Sequence, residues 1–413
     1  MALPCKDMEL TDSPFSLSHC KFDEDQYAAL WHAKTTQHLQ MLARETEVAS
    51  DVLERCTHIS SLPRNFRART RFSIQQYPDG GADYYCVDEG QRVLVKSYPI
   101  AARQINHTMP HLLRHLHPQD GAACASVTGL AHGLQVVSFL STSTGELLIG
   151  LVYDRPIAVG EDDAWCTQAA ALRDLLLADA IPEVTTLSII GRSRKLMLCV
   201  GQAFVMERLA LSDGRVLLYK QPEGAFSNPN TQVSRKALDW LSATFKAITM
   251  ESPGGVKKNL LEMYCGNGNH TVALAPLVAN VVAVELSEAL CAAARENLQL
   301  NGITNGFIIN THAHKFSHKV LRAKKWVDPA SQAEICFDMV LVDPPRAGLD
   351  AKTLALVASY EYIVYISCCP EALARDVKHL QEKAHFTVDK MATFDQFAYA
   401  SHLEIGVFLK KQV

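Results

Sequence analysis

Leu260-Leu-Glu-Met-Tyr-Cys-Gly-Asn-Gly-Asn269 reads as a short apolar strand running into a glycine-bearing turn and then a helix from about His270. Glycines at this point let the backbone turn tightly and approach a ligand. The next apolar run, Val281-Val-Ala-Val-Glu285, ends in a carboxylate, where open α/β sheets hold a ribose diol. The third glycine of the dinucleotide fingerprint is missing, because His270 and Thr271 follow Asn269. That disfavours a pyrophosphate-bearing cofactor and favours a nucleoside one such as S-adenosylmethionine. An ordinary turn is the alternative for the glycines alone. From Gly254-Gly255 onward, strand and helix patterns alternate, the signature of a doubly wound parallel sheet.

Two later strand ends fall at the same edge. Phe337-Asp-Met-Val-Leu-Val342 leads into Asp343-Pro-Pro-Arg346, whose prolines stiffen the turn and keep Asp343 extended. Arg346 either holds a phosphate or pairs with Asp343. Tyr362-Ile-Val-Tyr-Ile366 leads into Ser367-Cys-Cys-Pro-Glu371, where Pro370 opens a helix. Cys368 thus sits between a strand's carboxyl end and a helix amino terminus, a placement that favours the thiolate. It is either a nucleophile or a small core hydrophobe. Two final strands, Val388 to Phe394 and Leu403 to Leu409, are joined too briefly for a crossover helix and must be antiparallel. If the last runs against the parallel set, Glu404 at its start faces Cys368, as a general base beside a nucleophile or as a solvated strand-end carboxylate.

Upstream, Asp23 to Arg55 reads as one long amphipathic helix, and residues 1–55 as an amino-terminal helical segment. Residues 56–220 read as an α+β domain with an antiparallel sheet, and 221–413 as the α/β domain, with a proline- and glycine-bearing connection near Gln221 to Asn230. In Phe66-Arg-Ala-Arg-Thr-Arg-Phe72 the period is two, so Arg67, Arg69 and Arg71 share one strand face. Their spacing of about 6.8 Å suits a nucleic-acid backbone, and a solvated face is the alternative. Pro78-Asp-Gly-Gly81 is a hairpin signal. Arg192, Arg194 and Lys195 form a small basic loop, and Lys315 to Lys325 a second basic stretch, either a further nucleic-acid contact or a solvated helix face. His107, His111, His115 and His117 share a helix, and a polar face is preferred there to a metal site.

Composition sets the outer bounds. The 413 residues are 48% hydrophobic with net charge −4, enough for a sizeable core and without a global basic field. Any nucleic acid must then be gripped by a local patch. The 12 cysteines include no C-x-x-C pair, which argues against zinc ribbons and disulfide frameworks and fits a reducing cytoplasm. Met1 to Leu10 lacks the basic start and apolar run of a signal peptide.

The blocks at 260–269, 342–346, 366–371 and Phe394-Asp-Gln-Phe … His402-Leu-Glu-Ile-Gly406 resemble the RNA (uracil-5-)-methyltransferases. The nearest branch is the tRNA enzymes that make 5-methyluridine at T-loop position 54. The resemblance implies a Rossmann-like class I methyltransferase domain, a doubly wound sheet with a carboxyl-terminal antiparallel hairpin, preceded by an α+β RNA-binding domain. It further implies S-adenosylmethionine as methyl donor and the tRNA T loop as partner, while the scattered cysteines and the lack of a run of eighteen or more apolar residues lead to an expectation of no metal and no membrane. Carried over by position, Cys368 is the nucleophile and Glu404 the base, while Asn228, Tyr264, Asn269, Glu285 and Asp343 contact the donor. This chain departs from the family at Asn228, where glutamine is usual, at Cys369, where asparagine is usual, and in Glu404-Ile-Gly406 for Glu-Cys-Gly. Three rivals stand beside this reading. An rRNA uracil-5 enzyme would carry an iron–sulfur cysteine cluster and an extra amino-terminal barrel. An RNA cytosine-5 methyltransferase would carry a second cysteine in the motif at 343–346. A non-catalytic RNA-binding protein of this fold would have no need of Cys368 and Glu404.

Overall fold

The structure is a computed structural model. It describes residues 16–412 except 19, 79, 119–126, 156, 158–161, 195 and 324. The Met1 to Leu10 stretch, Asp79 and Lys195 therefore lie outside the described residues.

Short, continuously apolar strands build an eight-stranded carboxyl-terminal sheet. Its order across the sheet is Gly306–Asn310, Val281–Glu285, Leu260–Met263, Met339–Val342, Tyr362–Ser367, Glu404–Lys411, Phe386–Phe394, Thr57–Ile59. The first five are parallel, and Glu404–Lys411 runs against both its neighbours. Strands buried on both faces read as unbroken hydrophobic runs, and Val340, Leu341 and Val342 are fully enclosed. Each such side chain is worth about 1.5–3 kcal/mol of burial. Helices cover both faces, including Thr231–Glu251, whose Val233, Leu241, Phe245 and Ile248 face the core.

The amino-terminal sheet has seven strands, ordered Leu196–Val200, Thr186–Ser193, Glu146–Tyr153, Leu134–Ser141, Arg69–Gln76, Ala82–Asp88, Gln91–Leu94. The hairpin at 77–81 closes with the Tyr77 amide donating to the Gly81 carbonyl. The sheet is not wholly antiparallel as expected. Glu146–Tyr153 and Thr186–Ser193 pair in parallel, because the helix Asp162–Ala178 between them supplies a crossover. On helix Arg103–Leu116, His111 and His115 both reach Asp179, at 2.7 and 2.8 Å, and so clip two helices together. Among the described residues no group of three or more His, Cys, Asp or Glu is arranged to hold a metal ion, and no helix is long and apolar enough to cross a membrane.

Three segments differ from the sequence reading. The single helix expected over 23–55 is two, Tyr27–Glu45 and Ser50–Glu54. Thr46 is extended and its hydroxyl caps the Leu42 carbonyl, while the Glu47 amide bonds Gln381, a tertiary partner in place of the helical one. Thr57–Ile59 belongs to the far edge of the carboxyl-terminal sheet. The hairpin Phe204–Ala210 and Val216–Pro222 packs Leu209, Leu217 and Tyr219 into the carboxyl-terminal core, although the sequence division placed it before 221.

The early and late parts of the chain meet at Asp395. Its fully enclosed carboxylate accepts from Lys34 at 2.6 Å and from the Tyr27 hydroxyl at 2.7 Å. Asn230, the cap of helix Thr231–Glu251, donates to Ser61 and to the Asp395 carbonyl. Lys34→Ala leaves a buried charge without its cation, so equilibrium urea unfolding should show a loss of about 3–5 kcal/mol. An unchanged midpoint would refute this reading of the pair.

Candidate active site

The site lies at the carboxyl edge of the parallel strands. Chain direction alone brings the ends of Leu260–Met263, Val281–Glu285, Met339–Val342 and Tyr362–Ser367 there. After Met263 the chain turns sharply, with Tyr264 in the left-handed region at φ 66° and Gly268 at φ 81° capping helix Asn269–Leu274. A Cβ on Gly268 would sit 3.3 Å from the Ala294 methyl, so the glycine also allows close helix packing.

One cavity of about 590 Å³ is lined by Asn228, Tyr264, Asn269, Glu285, Asp343, Cys368 and Glu404. The seven residues named from sequence for the donor and the chemistry therefore share one chamber. Ser367 pairs with Ile405 across the antiparallel strands, which brings Cys368 and Glu404 to the same edge from opposite chain directions. Glu285 is fixed by the amides of Gly266, Leu286 and Ser287, at 3.2, 2.8 and 2.7 Å. Asn228 donates to Ser234 at 3.1 Å. Arg346 does not pair with Asp343 and instead donates to His402 at 3.1 Å.

Asp343 and Glu404 keep part of their surface open to the chamber, yet neither makes an ion pair among the described residues. Desolvation pushes both carboxyls well above the ordinary carboxylate range, and for Glu404 the nearby Asp343 adds to it. Two carboxyl groups without a protein cation fit a cationic ligand, and a sulfonium nucleoside with an amino-acid tail is one. Cys368 departs from the sequence reading. Burial, then the charges of Glu404 and Asp343, push its thiol up, with Arg346 opposing. The helix that begins at Pro370 is capped by Cys369, one residue beyond the sulfur, and does not outweigh those effects.

A second cavity, about 560 Å³, shares Cys368 and Arg346 with the first. Its other wall is the helix Tyr27–Glu45, through Trp31, Lys34 and His38. The sequence carried no signal for that wall, because its residues become neighbours of Cys368 only through the fold. Gln396 was also missed as a site residue, although it stands inside a quoted motif. It is buried, bonds the Glu404 carboxyl, and its Oε1 has no partner among the described residues. Arg67, Arg69 and Arg71 lie apart from both chambers, around a third cavity of about 370 Å³. Lys315, Lys319 and Arg322 lie on helix Ala313–Ala323, outside all three.

The chain is similar to known proteins in sequence and in fold. A sequence model of the family described as tRNA (Uracil-5-)-methyltransferase matches residues 26–412. A tRNA/tmRNA (uracil-C(5))-methyltransferase of Shewanella amazonensis is 39% identical over 359 residues, covering 85% of this chain and 90% of its own. One from Stutzerimonas stutzeri is 34% identical over 398 residues, covering 95% and 99%. In fold, the chain is similar to the Pyrococcus abyssi tRNA (uracil-54, C5)-methyltransferase solved with S-adenosyl-L-homocysteine. That match has TM-score 0.64 and 20% identity, and covers 93% of this chain and 83% of the other. The chain belongs to the tRNA (uracil-5-)-methyltransferase family.

Proposed function

We propose that this enzyme methylates carbon 5 of the T-loop uridine, position 54, of tRNA through a covalent cysteine–uracil intermediate, and that it does so in the cytoplasm. The single observation that carries the reading is the convergence of Cys368 and Glu404 on one chamber from strands of opposite direction. Ten described cysteines, all free thiols, support the reducing setting.

S-adenosylmethionine supplies an electrophilic methyl group. Asn228, Tyr264, Asn269, Glu285 and Asp343 hold it, with the fixed Glu285 carboxylate suited to accept from ribose hydroxyls. The target base reaches Cys368 from the second cavity after leaving its stack, which costs a few kcal/mol. Arg67, Arg69 and Arg71 grip the RNA backbone and offset that cost. Cys368 as thiolate bonds carbon 6 of uracil, which makes carbon 5 the nucleophile for the methyl group. Glu404 as carboxylate removes the proton from carbon 5, and elimination of the sulfur restores the enzyme. Mass spectrometry of enzyme incubated with donor and 5-fluorouridine-containing tRNA tests the scheme, because fluorine cannot leave as a proton. The expected product is a methylated adduct on the peptide holding Cys368. An adduct on Cys369, or none with bound RNA, would overturn it.

The acidities make a second prediction. Both the thiol and the base must be deprotonated, and both are held protonated to higher pH than usual. kcat/KM, which reports the free enzyme, should therefore rise with pH through neutrality and level off only in the alkaline range. In the ternary complex the sulfonium charge favours the ionised carboxyls, so the limb in kcat should fall at lower pH. Stopped initial rates across pH check both limbs. A profile flat from mildly acidic pH upward would contradict the assignment.

A further inference from the structure

The arginine cavity holds an anion already. On one face of the amino-terminal sheet, Arg69 and Arg71 flank Ser138 and Leu140, and beyond Gly150 and Val152 stands Arg192. Ser138 forms part of the floor, and its hydroxyl fills the space that a Cβ on Gly150 would take. Over that floor sits Glu223. It accepts from Arg192 Nε at 2.6 Å and from the same guanidinium's Nη2, and its side chain is only 10% exposed. Arg67 completes the lining. Four arginines thus line a cavity that holds one carboxylate, an excess of positive charge in a concave site. Half-buried Arg69 feels the crowding, its acidity strengthened by burial and by Arg67 and opposed by Glu223.

The segment that carries Glu223 leads directly to the other chamber. The Arg69 guanidinium holds the Ala225 carbonyl at 2.9 Å, and the Ala68 amide holds the Pro229 carbonyl at 2.7 Å. Between these two anchors, Phe226, Ser227, Asn228 and Pro229 line the cavity assigned to the methyl donor. The same short strap therefore borders the arginine site at one end and the donor site at the other.

We propose that Glu223 is a placeholder for an RNA phosphodiester, displaced from Arg192 when tRNA binds, and that the strap 223–229 couples this exchange to donor affinity. The inference rests on the proposed tRNA substrate and adds a residue that opposes RNA binding and links the two ligands. Phosphate matches the site because guanidiniums bind it bidentately and because the excess charge remains after Glu223 is counted.

The test uses the full chain, an unmodified tRNA transcript and S-adenosylhomocysteine, so that no turnover occurs. In E223Q, tRNA should bind roughly threefold to tenfold tighter, since one opposing charge is gone. In R192Q, affinity should fall, and the slope of log Kd against log salt should drop by about 0.7–0.9, one phosphate contact. For wild type, tRNA should change S-adenosylhomocysteine affinity roughly fivefold or more, and in E223Q that factor should shrink towards one. Thermal unfolding confirms that each variant is folded. If folded E223Q binds tRNA no tighter than wild type, Glu223 is a fixed counter-ion and the proposal fails. The same holds if R192Q keeps the full salt slope. Wild type that binds no tRNA would instead remove the substrate reading on which this inference stands.

Discussion

Cys368→Ala is expected to lower tRNA methylation roughly 10⁴-fold or more while leaving tRNA affinity within a few-fold of wild type. The size follows from the chemistry. Without a sulfur on carbon 6, carbon 5 of uracil is a poor nucleophile, and nothing else lining the chamber offers a comparable group. Cys265 is buried and its thiol is pushed far up by burial and by Glu262, Glu285 and Cys291. Cys369 borders only the second cavity. Cys368 is half-buried, so its truncation removes little packing, and the fold should persist. Release of tritium from uridine-5-labelled tRNA is the direct readout. Cys369→Ala is the control and should retain most activity. If the two variants exchange these outcomes, the nucleophile is the neighbouring sulfur.

Glu404→Gln should behave differently. The glutamine keeps the shape and the contact with Gln396 but cannot take a proton. Steady-state turnover should fall roughly 10²–10⁴-fold, the usual worth of a general base. The earlier steps do not need that base. Enzyme should therefore accumulate as a covalent complex with methylated tRNA, visible as a slow-migrating band in denaturing gels and absent from Cys368→Ala. Equal loss of activity without accumulation would mean that the carboxylate acts before methyl transfer, and the assigned order would be wrong.

The donor chamber was legible because its parts obey local rules. Glu285, Asp343 and Cys368 each follow an apolar run that can only be a buried strand, and parallel strands put such ends at one edge. Glu404 followed from loop length, since a short connection forces antiparallel pairing. What was not legible depends on distant partners. The acidity of Cys368 was expected to be favoured by a helix end, and burial, then two carboxylates brought close by the fold, reverse it. Thr57–Ile59 is too short to announce its sheet, and the break after Glu45 exists because Gln381 takes a backbone amide. Arg67, Arg69 and Arg71 were read as one strand face, but the carboxylate that shares their cavity sits on another segment. Sequence pattern gives a strand's facing; it does not say what lies opposite.

The edge strand Thr57–Ile59 sets a timetable for biosynthesis. Its partner Phe386–Phe394 is synthesised far later in the chain, so the early strand emerges with nothing to pair against. The amino-terminal sheet can condense while the chain is still growing, but the reactive edge waits for Phe386–Phe394 and Glu404–Lys411. During that interval the nascent polypeptide exposes an unpaired strand and the apolar side of its first helices, surfaces that holding chaperones recognise. A fragment beginning after the connection near residue 221 would carry the same exposed border permanently and should precipitate on expression.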